Sequence, residues 1–342
     1  MSWWMPHKFD EKRDFLLMRA RVLKALRLFF EGRDFLEVQT PALQVCPVMD
    51  AHIHAFATDI KAQDRVVSSR MYLHTSPEFD MKKLLVAGLE RIYQICPVFR
   101  NAEGSKTHSP EFTLLEWYRA GANYRVLMDD TVDMLRYVAE SLDVKSYTHG
   151  GKTSDPFGNW DIISVQDAFM KYAKIDLLEC LGKRDEFALM AQAIGIRVIE
   201  SDAWDDIFHA IMSEKIEPFL GFGVPSILYD YPISMAALSR KKESDPRFAE
   251  RFEVYICGIE LANAFSELTD AQEQRRRYEE EMQIKEELYG ESYPADEEFF
   301  KALEYGIPES AGIALGIDRL IMLACGAKDI DDVLWAPVQK GF

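Results

Sequence analysis

Two apolar runs that flank a polar loop place the strongest limit on how this chain can fold. Residues 91–99 and 112–118 have the β-branched and aromatic composition of strands, and residues 101–110 between them are polar. The pattern predicts an antiparallel hairpin with a long loop. Arg100 stands where the first strand ends. A guanidinium in that position can bind a phosphate or a carboxylate through two parallel hydrogen bonds.

The returning strand of this hairpin carries an unusual set of side chains on one face. Because side chains alternate along a strand, Phe112, Leu114, Glu116 and Tyr118 point to the same side. An aromatic ring, a carboxylate and a phenol together suit a pocket for a flat ring and a cation. Taken alone, the same residues fit a half-exposed strand equally well.

A second hairpin is predicted over residues 251–267, with a turn near Cys257-Gly258. That turn pairs Glu260 with Tyr255 and brings Glu253 diagonally onto the face of Glu260. Two adjacent carboxylates repel each other unless they share a cation, and oxygen ligands suit Mg²⁺. Two solvated surface glutamates are the commoner explanation of such a pair.

Two further segments contain residues suited to binding. Residues 260–269 hold more polar groups than a buried strand needs. Residues 312–320 combine glycines in an apolar strand, where a ligand can approach the backbone closely, with Arg319 in the first turn of the following helix. A structural salt bridge would explain Asp318-Arg319 equally well.

Length and composition indicate one large α/β domain over residues 1–342, with a helical insertion at about 124–220. The formal net charge of −17 disfavours, without excluding, a protein that binds nucleic-acid phosphates. The five cysteines have no zinc-finger spacing and lie mostly in apolar runs, which indicates reduced thiols and a cytoplasmic protein. No signal peptide or membrane-spanning run is visible.

Taken together and in order, these segments resemble the signature motifs of class II aminoacyl-tRNA synthetases. Residues 32–41 resemble motif 1, which builds the dimer interface of that family, residues 99–112 resemble motif 2, and residues 312–319 resemble motif 3. The resemblance implies an α/β fold of the α+β kind, a mostly antiparallel sheet flanked by helices. It also implies use of ATP and Mg²⁺ and a homodimer.

Within that family the similarity is greatest to lysyl-tRNA synthetases. Ser76-Pro77-Glu78, residues 110–118 and residues 263–268 look like a lysine site. Only about ten residues precede the motif 1 helix, so we expect the anticodon-reading barrel to be absent. A core of this kind resembles a truncated subfamily that attaches (R)-β-lysine to a lysine of elongation factor P, with no stable tRNA binding. Ala314, where the synthetases have glycine, favours a β-amine over an α-amine.

The resemblance also implies roles for individual residues. Arg100 and Arg319 would be catalytic, Glu253 and Glu260 would bind the metal, and Ala314 would form the floor of the donor pocket. The nucleotide would contact Arg100, Glu103, His108, Phe112, Glu253, Glu260, Gly316 and Arg319. The amino-acid donor would contact Ser76, Glu78, Arg100, Glu116, Tyr118, Asn263, Phe265, Glu267 and Ala314.

Two details of the sequence depart from a regular pattern. Motif 2 reads Arg-x-Glu in the family, whereas here Glu103 stands one residue later. Strict alternation would also turn Asn263, Phe265 and Glu267 away from the face of Glu260. Because the resemblance implies that all of them belong to the site, we expect a β-bulge near Leu261-Ala262.

Four hypotheses follow from the sequence. The first is a ligase that forms a β-lysyl adenylate and transfers it to elongation factor P. The second is a stand-alone enzyme that charges tRNA with lysine. The third is a relative of asparagine synthetase, which the acidic residues Glu78, Glu116 and Glu267 disfavour. The fourth is a degenerate, non-catalytic regulatory protein.

Overall fold

The computed structural model describes residues 3–64, 66–236 and 238–339, and in them the chain folds around an eight-stranded sheet. In chain order the strands are β1 Leu36–Glu37, β2 Leu43–Gln44, β3 Ala57–Lys61, β4 Val67–Leu73, β5 Arg91–Phe99, β6 Glu111–Ala120, β7 Tyr147–His149, β8 Lys152–Ser154, β9 Asp161–Ser164, β10 Ser226–Pro232, β11 Phe248–Ile256, β12 Ile259–Ser266 and β13 Ser310–Gly316. The helices are α1 Pro6–Glu31, α2 Glu78–Val86, α3 Tyr124–Ser141, α4 Val165–Ala168, α5 Leu177–Cys180, α6 Arg184–Ala193, α7 Trp204–Ile211, α8 Ala271–Tyr289, α9 Glu297–Gly306 and α10 Ile317–Cys325.

The large sheet is mostly antiparallel and has the strand order β1-β5-β6-β13-β12-β11-β10-β9. Its two outer pairs, β1 with β5 and β9 with β10, are parallel. Strands β2, β4 and β3 form a small second sheet. This arrangement confirms the predicted fold class. No helix in the described ranges is long and apolar enough to cross a membrane.

One face of the large sheet is covered by α1, α3 and α10, which enclose the main apolar core. Phe30 of α1 packs on Trp117 of β6 with ring centroids 5.3 Å apart. Since Leu115 and Trp117 point into this core, Glu116 and Tyr118 point to the opposite face. Helices α2, α8 and α9 pack on part of that opposite face and leave the middle of it open.

The middle of the chain adds a helical layer with a core of its own. Its apolar cluster runs from Ile163 to Leu220 and packs against Leu228 and Tyr255 of the main sheet. Helix α3 lies in the range that the sequence assigns to a helical insertion, but its apolar side chains belong to the main core. The part with a separate core therefore starts near Ile163, not near 124.

Both hairpins are confirmed. Strands β5 and β6 pair from Arg91 to Phe99 in unbroken register. Strands β11 and β12 pair Tyr255 with Glu260, as the turn at Cys257-Gly258 requires. The next pair is Val254 with Ala262, so Leu261 has no partner. The expected bulge is therefore present, and it puts Glu260 on the same face as Asn263.

A buried ion pair joins helix α1 to strand β6 and helix α10. Asp318 at the start of α10 accepts hydrogen bonds from Arg19 of α1 and, at 2.7 Å, from the backbone N–H of Thr113. Arg19 also donates to the Thr113 hydroxyl at 2.7 Å. The side chains of Arg19 and Asp318 are only 8% and 2% exposed. The structural salt bridge that the sequence left open is therefore present at Asp318.

Replacement of Arg19 by methionine should destabilise the fold strongly. The substitution keeps an aliphatic side chain on α1 but leaves Asp318 buried without its cation, which typically costs about 3–5 kcal/mol. Urea denaturation followed by circular dichroism measures the loss. Arg13→Met, on the same helix and in an exposed pair with Asp10, is the control and should have little effect. Equal effects of the two substitutions would contradict the role given to Asp318.

Candidate active site

The open face of the sheet carries two rows of side chains across four adjacent strands, and most members of the first row are polar. The strand register aligns Glu116 with Ala314, Ala314 with Asn263, and Asn263 with Glu253. The row beside it aligns Tyr118, Gly312, Phe265 and Arg251. Period-two alternation turns both rows to the same side, so residues distant in the sequence become neighbours.

Two cavities open on this face and share one wall. The first, about 160 Å³, is lined by several of the donor-site residues that the sequence predicts, namely Ser76, Glu78, Arg100, Glu116, Tyr118, Asn263, Phe265 and Ala314. The second, about 360 Å³, is lined by predicted nucleotide-site residues, namely Arg100, Glu103, His108, Phe112, Glu260, Gly316 and Arg319. Ile53, Arg100, Asn263 and Ala314 belong to both walls.

Arg100 is the cation at the junction of the two cavities. Its backbone N–H donates to the carbonyl of Pro110 at 2.9 Å, which fixes the base of the loop after β5. Its guanidinium carbon lies 5.3 Å from the ring centroid of Phe112. Its Nε is buried and has no hydrogen-bond partner among the described residues. A guanidinium in the wall of both cavities with an unpaired, buried donor is suited to an anionic ligand.

The first cavity has an acidic wall built around Glu116. This carboxylate accepts hydrogen bonds from the Ser76 hydroxyl at 2.6 Å and the Tyr118 hydroxyl at 3.0 Å. Burial, and then the charge of Glu78, raise the pKa of Glu116 to about 7. Two donors do not saturate a carboxylate, which offers about four acceptor sites. The wall is therefore suited to a ligand that brings an ammonium group.

Glu267 lies behind this wall and meets a cation that the sequence analysis missed. Nζ of Lys82 is 2.5 Å from an oxygen of Glu267 and 2.5 Å from an oxygen of Glu78. Burial raises the pKa of Glu267 to about 8 in spite of Lys82. As far as the structure describes the chain, the lining of the first cavity does not include Glu267. The i, i+4 spacing of Glu78 and Lys82 was a signal that could have revealed half of this cluster.

Gly312 makes room for this arrangement. A Cβ atom at this position would lie 2.2 Å from Cε1 of Tyr118 and 2.4 Å from a carboxylate oxygen of Glu267. The space over the glycine is therefore filled by the protein's own side chains. At Gly312 this differs from the expectation, based on the sequence, that the glycines of this strand let a ligand approach the backbone.

In the second cavity Arg319 makes three contacts, one with β12 and two with the loop between β5 and β6. It donates to the carbonyl of Glu260 at 2.7 Å and to that of Thr107 at 3.4 Å, and it lies 2.6 Å from Nε2 of His108. A guanidinium only donates, so His108 accepts at Nε2 and carries its proton on Nδ1, 2.7 Å from the Ser105 hydroxyl. Burial and the charge of Arg319 lower the pKa of His108, which keeps the imidazole neutral.

Glu103 lines this cavity although it stands one residue later than the family pattern. Ala102 before it has a φ of 60°, and its N–H donates to the Asn101 side chain at 2.9 Å. A non-glycine residue in this left-handed conformation costs about 1–2 kcal/mol. The loop thus accommodates the extra residue and still places Glu103 in the cavity, 3.9 Å from His108.

The two proposed metal ligands lie in different surroundings. Glu253 is buried and accepts hydrogen bonds from Tyr231 at 2.5 Å, Tyr255 at 2.6 Å and Arg251 at 2.6 Å. Glu260 lines the second cavity with its side chain 45% exposed. Desolvation in the cleft and the charge of Glu253 raise the pKa of Glu260, a repulsion that a cation would relieve.

These surroundings fit Mg²⁺ in part. Mg²⁺ is usually held by one or two carboxylates together with water and substrate phosphates, and Glu260 suits the first part of that set. Glu253 has most of its acceptor sites in use. No cluster of three possible ligand side chains occurs in the described ranges. Arg251, which binds both Glu253 and Asn263, is a second residue that the sequence analysis missed.

Comparison with known proteins agrees with this geometry. Residues 4–340 match the family model of tRNA synthetases class II (D, K and N). The chain is 40% identical over 340 residues to elongation factor P–(R)-β-lysine ligase of Vibrio cholerae, covering 98% of each chain. It is 38% identical over 325 residues to the protein of the same name from Haemophilus ducreyi, covering 95% of this chain and 94% of the other.

The contacts of Gly312 give a prediction for two neighbouring glycines. Gly312→Ala should lower the free energy of unfolding by about 1–3 kcal/mol, because Tyr118 and Glu267 must move. Gly316→Ala is the matched control, since a Cβ there would meet Cδ of Arg319 at an ordinary 3.6 Å. Urea denaturation compares the two variants. If both were equally stable, Gly312 would not be the residue that makes room for the acidic wall.

Proposed function

Because this chain belongs to the family of class II tRNA synthetases (D, K and N), we propose that it is an ATP-dependent ligase. It activates (R)-β-lysine as an adenylate and transfers the β-lysyl group to a lysine side chain of elongation factor P. The names of its relatives from Vibrio cholerae and Haemophilus ducreyi support this donor and this acceptor. The near-complete coverage of both chains supports carrying the activity over as a whole.

One observation carries the proposal: Arg100 is in the wall of both cavities. An acidic pocket for ammonium groups lies on one side of its guanidinium and a larger cavity with Arg319 and Phe112 lies on the other. A donor that places its ammonium groups near Glu116 and Glu78 directs its carboxylate to the junction. ATP in the larger cavity brings its α-phosphate to the same point, so the reacting groups meet at one cation.

The first step is an in-line attack of the donor carboxylate on the α-phosphorus of ATP. An oxygen–phosphorus bond forms, the bond to the β-phosphate oxygen breaks, and pyrophosphate leaves. Arg100 offsets the negative charge that both substrates bring to the junction, and Arg319 binds the nucleotide. Glu103 and the neutral His108, which carries its proton on Nδ1, are polar side chains of the loop that lines the nucleotide cavity. We assign the adenine to the space between Phe112 and Arg319.

The second step transfers the β-lysyl group. The acceptor amine, after losing its extra proton, attacks the carbonyl carbon of the adenylate, and the bond to the AMP oxygen breaks. The products are an amide and AMP, and no covalent intermediate with the protein is required. Mg²⁺ would add positive charge beside the phosphates when bound, with Glu260 as its main protein ligand and Glu253 positioned behind it.

Two features support β-lysine as the donor. Glu116, Glu78 and the Ser76 hydroxyl form a wall for two ammonium groups. The methyl group of Ala314 is part of both cavity walls and pairs in register with Glu116 and Asn263. Such a methyl takes up space close to the donor carboxylate, where an α-amine would lie. Discrimination through a single methyl group is worth about 1–3 kcal/mol.

We further infer that the chain acts as a homodimer. Leu28 of α1, Leu36 of β1 and Leu43 of β2 are 47%, 54% and 41% exposed. These apolar side chains belong to, or lie beside, the segment that resembles motif 1. Their burial against a second copy would remove this surface from water.

ATP–pyrophosphate exchange with three donors tests the proposal. We expect faster exchange with (R)-β-lysine than with (S)-β-lysine or α-lysine, and AMP formation when elongation factor P is added. Intact-mass analysis of elongation factor P should then show one added β-lysyl group. Faster exchange with α-lysine, together with transfer to tRNA, would support the tRNA-charging alternative. Absence of exchange with all three donors would support a non-catalytic protein.

The raised pKa of Glu116 predicts a pH dependence. Glu116, with a pKa of about 7, must be ionised to bind an ammonium group, so donor binding releases its proton. The KM for (R)-β-lysine should therefore fall about tenfold as the pH rises from about 6 to about 8. In Glu116→Gln the KM should be high and nearly independent of pH over that range. A wild-type KM that stays constant would remove Glu116 from the donor site.

A further inference from the structure

Residues 47–54, the cover segment, form an irregular stretch of chain over both cavities. Met49 and Asp50 line the first cavity, and Ile53 lines both. Apart from an isolated bridge between His54 and Asn101, the segment has no regular strand or helix. The backbone groups of such a segment need partners from elsewhere in the protein if it is to keep one conformation.

For Ala51 and Ile53 those partners come from one face of α8. Glu281, Lys285 and Tyr289 follow each other at four-residue spacing and so form one stripe on the helix. The Ala51 N–H donates to a Glu281 carboxylate oxygen at 2.9 Å. Nζ of Lys285 donates to the carbonyls of Ala51 at 2.8 Å and Ile53 at 2.9 Å. The Tyr289 hydroxyl lies 2.9 Å from Nδ1 of His52.

Lys285 is the central member of this stripe. Its side chain is completely buried, and burial lowers the pKa of its ammonium group. Its ammonium also lies 5.5 Å and 5.1 Å from the ring centroids of Tyr289 and Tyr293. Burying a cation without an ion pair is costly. Here the cation satisfies two carbonyls of a segment that lies over the reaction centre.

We propose that Lys285 is a positioning residue that, with Glu281 and Tyr289, holds the cover segment closed over the junction of the two cavities. This inference rests on the proposed function, because the junction is where the adenylate would form. Ile53, whose carbonyl Lys285 binds, shares that wall with Arg100 and Asn263. The closed segment keeps water from the adenylate until the acceptor amine arrives.

The reaction that the closed segment prevents is hydrolysis of the adenylate. A water oxygen would bond to the carbonyl carbon, and the bond from that carbon to the phosphate oxygen would break. The products would be free β-lysine and AMP, with one proton released. Each such event consumes one ATP without modifying elongation factor P, so the ratio of AMP to modified protein measures how well the segment excludes water.

Lys285→Met is the direct test, since methionine has a similar length but no donor. We expect the KM values for ATP and for (R)-β-lysine to rise about tenfold, and the ratio of AMP to modified elongation factor P to rise by a similar factor. Lys301→Met, at an exposed lysine on α9, is the matched control and should leave all three unchanged. Simple destabilisation would lower the active fraction without changing either KM or the ratio.

Hydrogen–deuterium exchange gives a readout that does not depend on activity. In the free protein, the peptide that covers residues 47–54 should exchange faster in Lys285→Met than in the wild type, with α10 unchanged. Faster exchange in the variant, combined with a wild type that has no ligase activity, would support the role of Lys285 in holding the cover segment and would reject the proposed function. Exchange at the wild-type rate in Lys285→Met, with unchanged KM values and an unchanged ratio of AMP to modified protein, would overturn the proposal that Lys285 holds the cover segment.

Tyr289→Phe decides the question if Lys285→Met does not fold. This substitution at a half-exposed ring removes only the hydroxyl that meets His52. We expect a smaller rise in exchange of residues 47–54 and in the AMP ratio, in the same direction. Wild-type values for both in Tyr289→Phe would overturn the proposal.

Discussion

The active face depends on one buried carboxylate. Asp318 accepts hydrogen bonds from Arg19 of the first helix and from the Thr113 backbone of the motif 2 strand. It lies in the first turn of α10, next to Arg319, so the same contact that joins three distant segments also fixes the base of the side chain that we propose to bind the nucleotide. An ion pair buried to this extent adds little net stability compared with apolar packing, but it permits only one arrangement of its partners.

The sheet register builds the rest of the site on that frame. Glu116, Ala314 and Asn263 are adjacent because their strands pair at these positions, and the bulge at Leu261 adds Glu260 to the same face. Burial then changes the ionisation of the carboxyl groups in this site. The acidic wall loses its contact with water, which raises the pKa of Glu116 and Glu267. The result is a pocket whose unfavourable charge is reduced by protons or by a cationic ligand.

Much of this frame could be predicted from the sequence because it follows from local spacing. Alternation identified the face that holds Glu116 and Tyr118, and the turn at Cys257-Gly258 set the pairing of Glu260 with Tyr255. The bulge was expected only because the family resemblance implies that Glu260 and Asn263 share one site. Lys285 could not be identified in this way, and for Lys82 local spacing indicates only the contact with Glu78. Their partners Glu267 and Ile53 are far away in the sequence, and a lysine in a charged helix looks the same whether it is buried or solvated. The sequence also could not show that the Glu253 carboxylate already accepts hydrogen bonds from Arg251 and two tyrosines.

The position of Arg100 in two walls has a thermodynamic consequence. One guanidinium serves both cavities, so an anion that binds in one of them changes the field felt by an anion in the other. The two binding equilibria are therefore linked, and linkage is reciprocal: whatever factor the nucleotide applies to the affinity for the donor, the donor applies to the affinity for the nucleotide. Under the proposed function, cooperativity between the two substrates would pass through this single side chain and would require no change of shape.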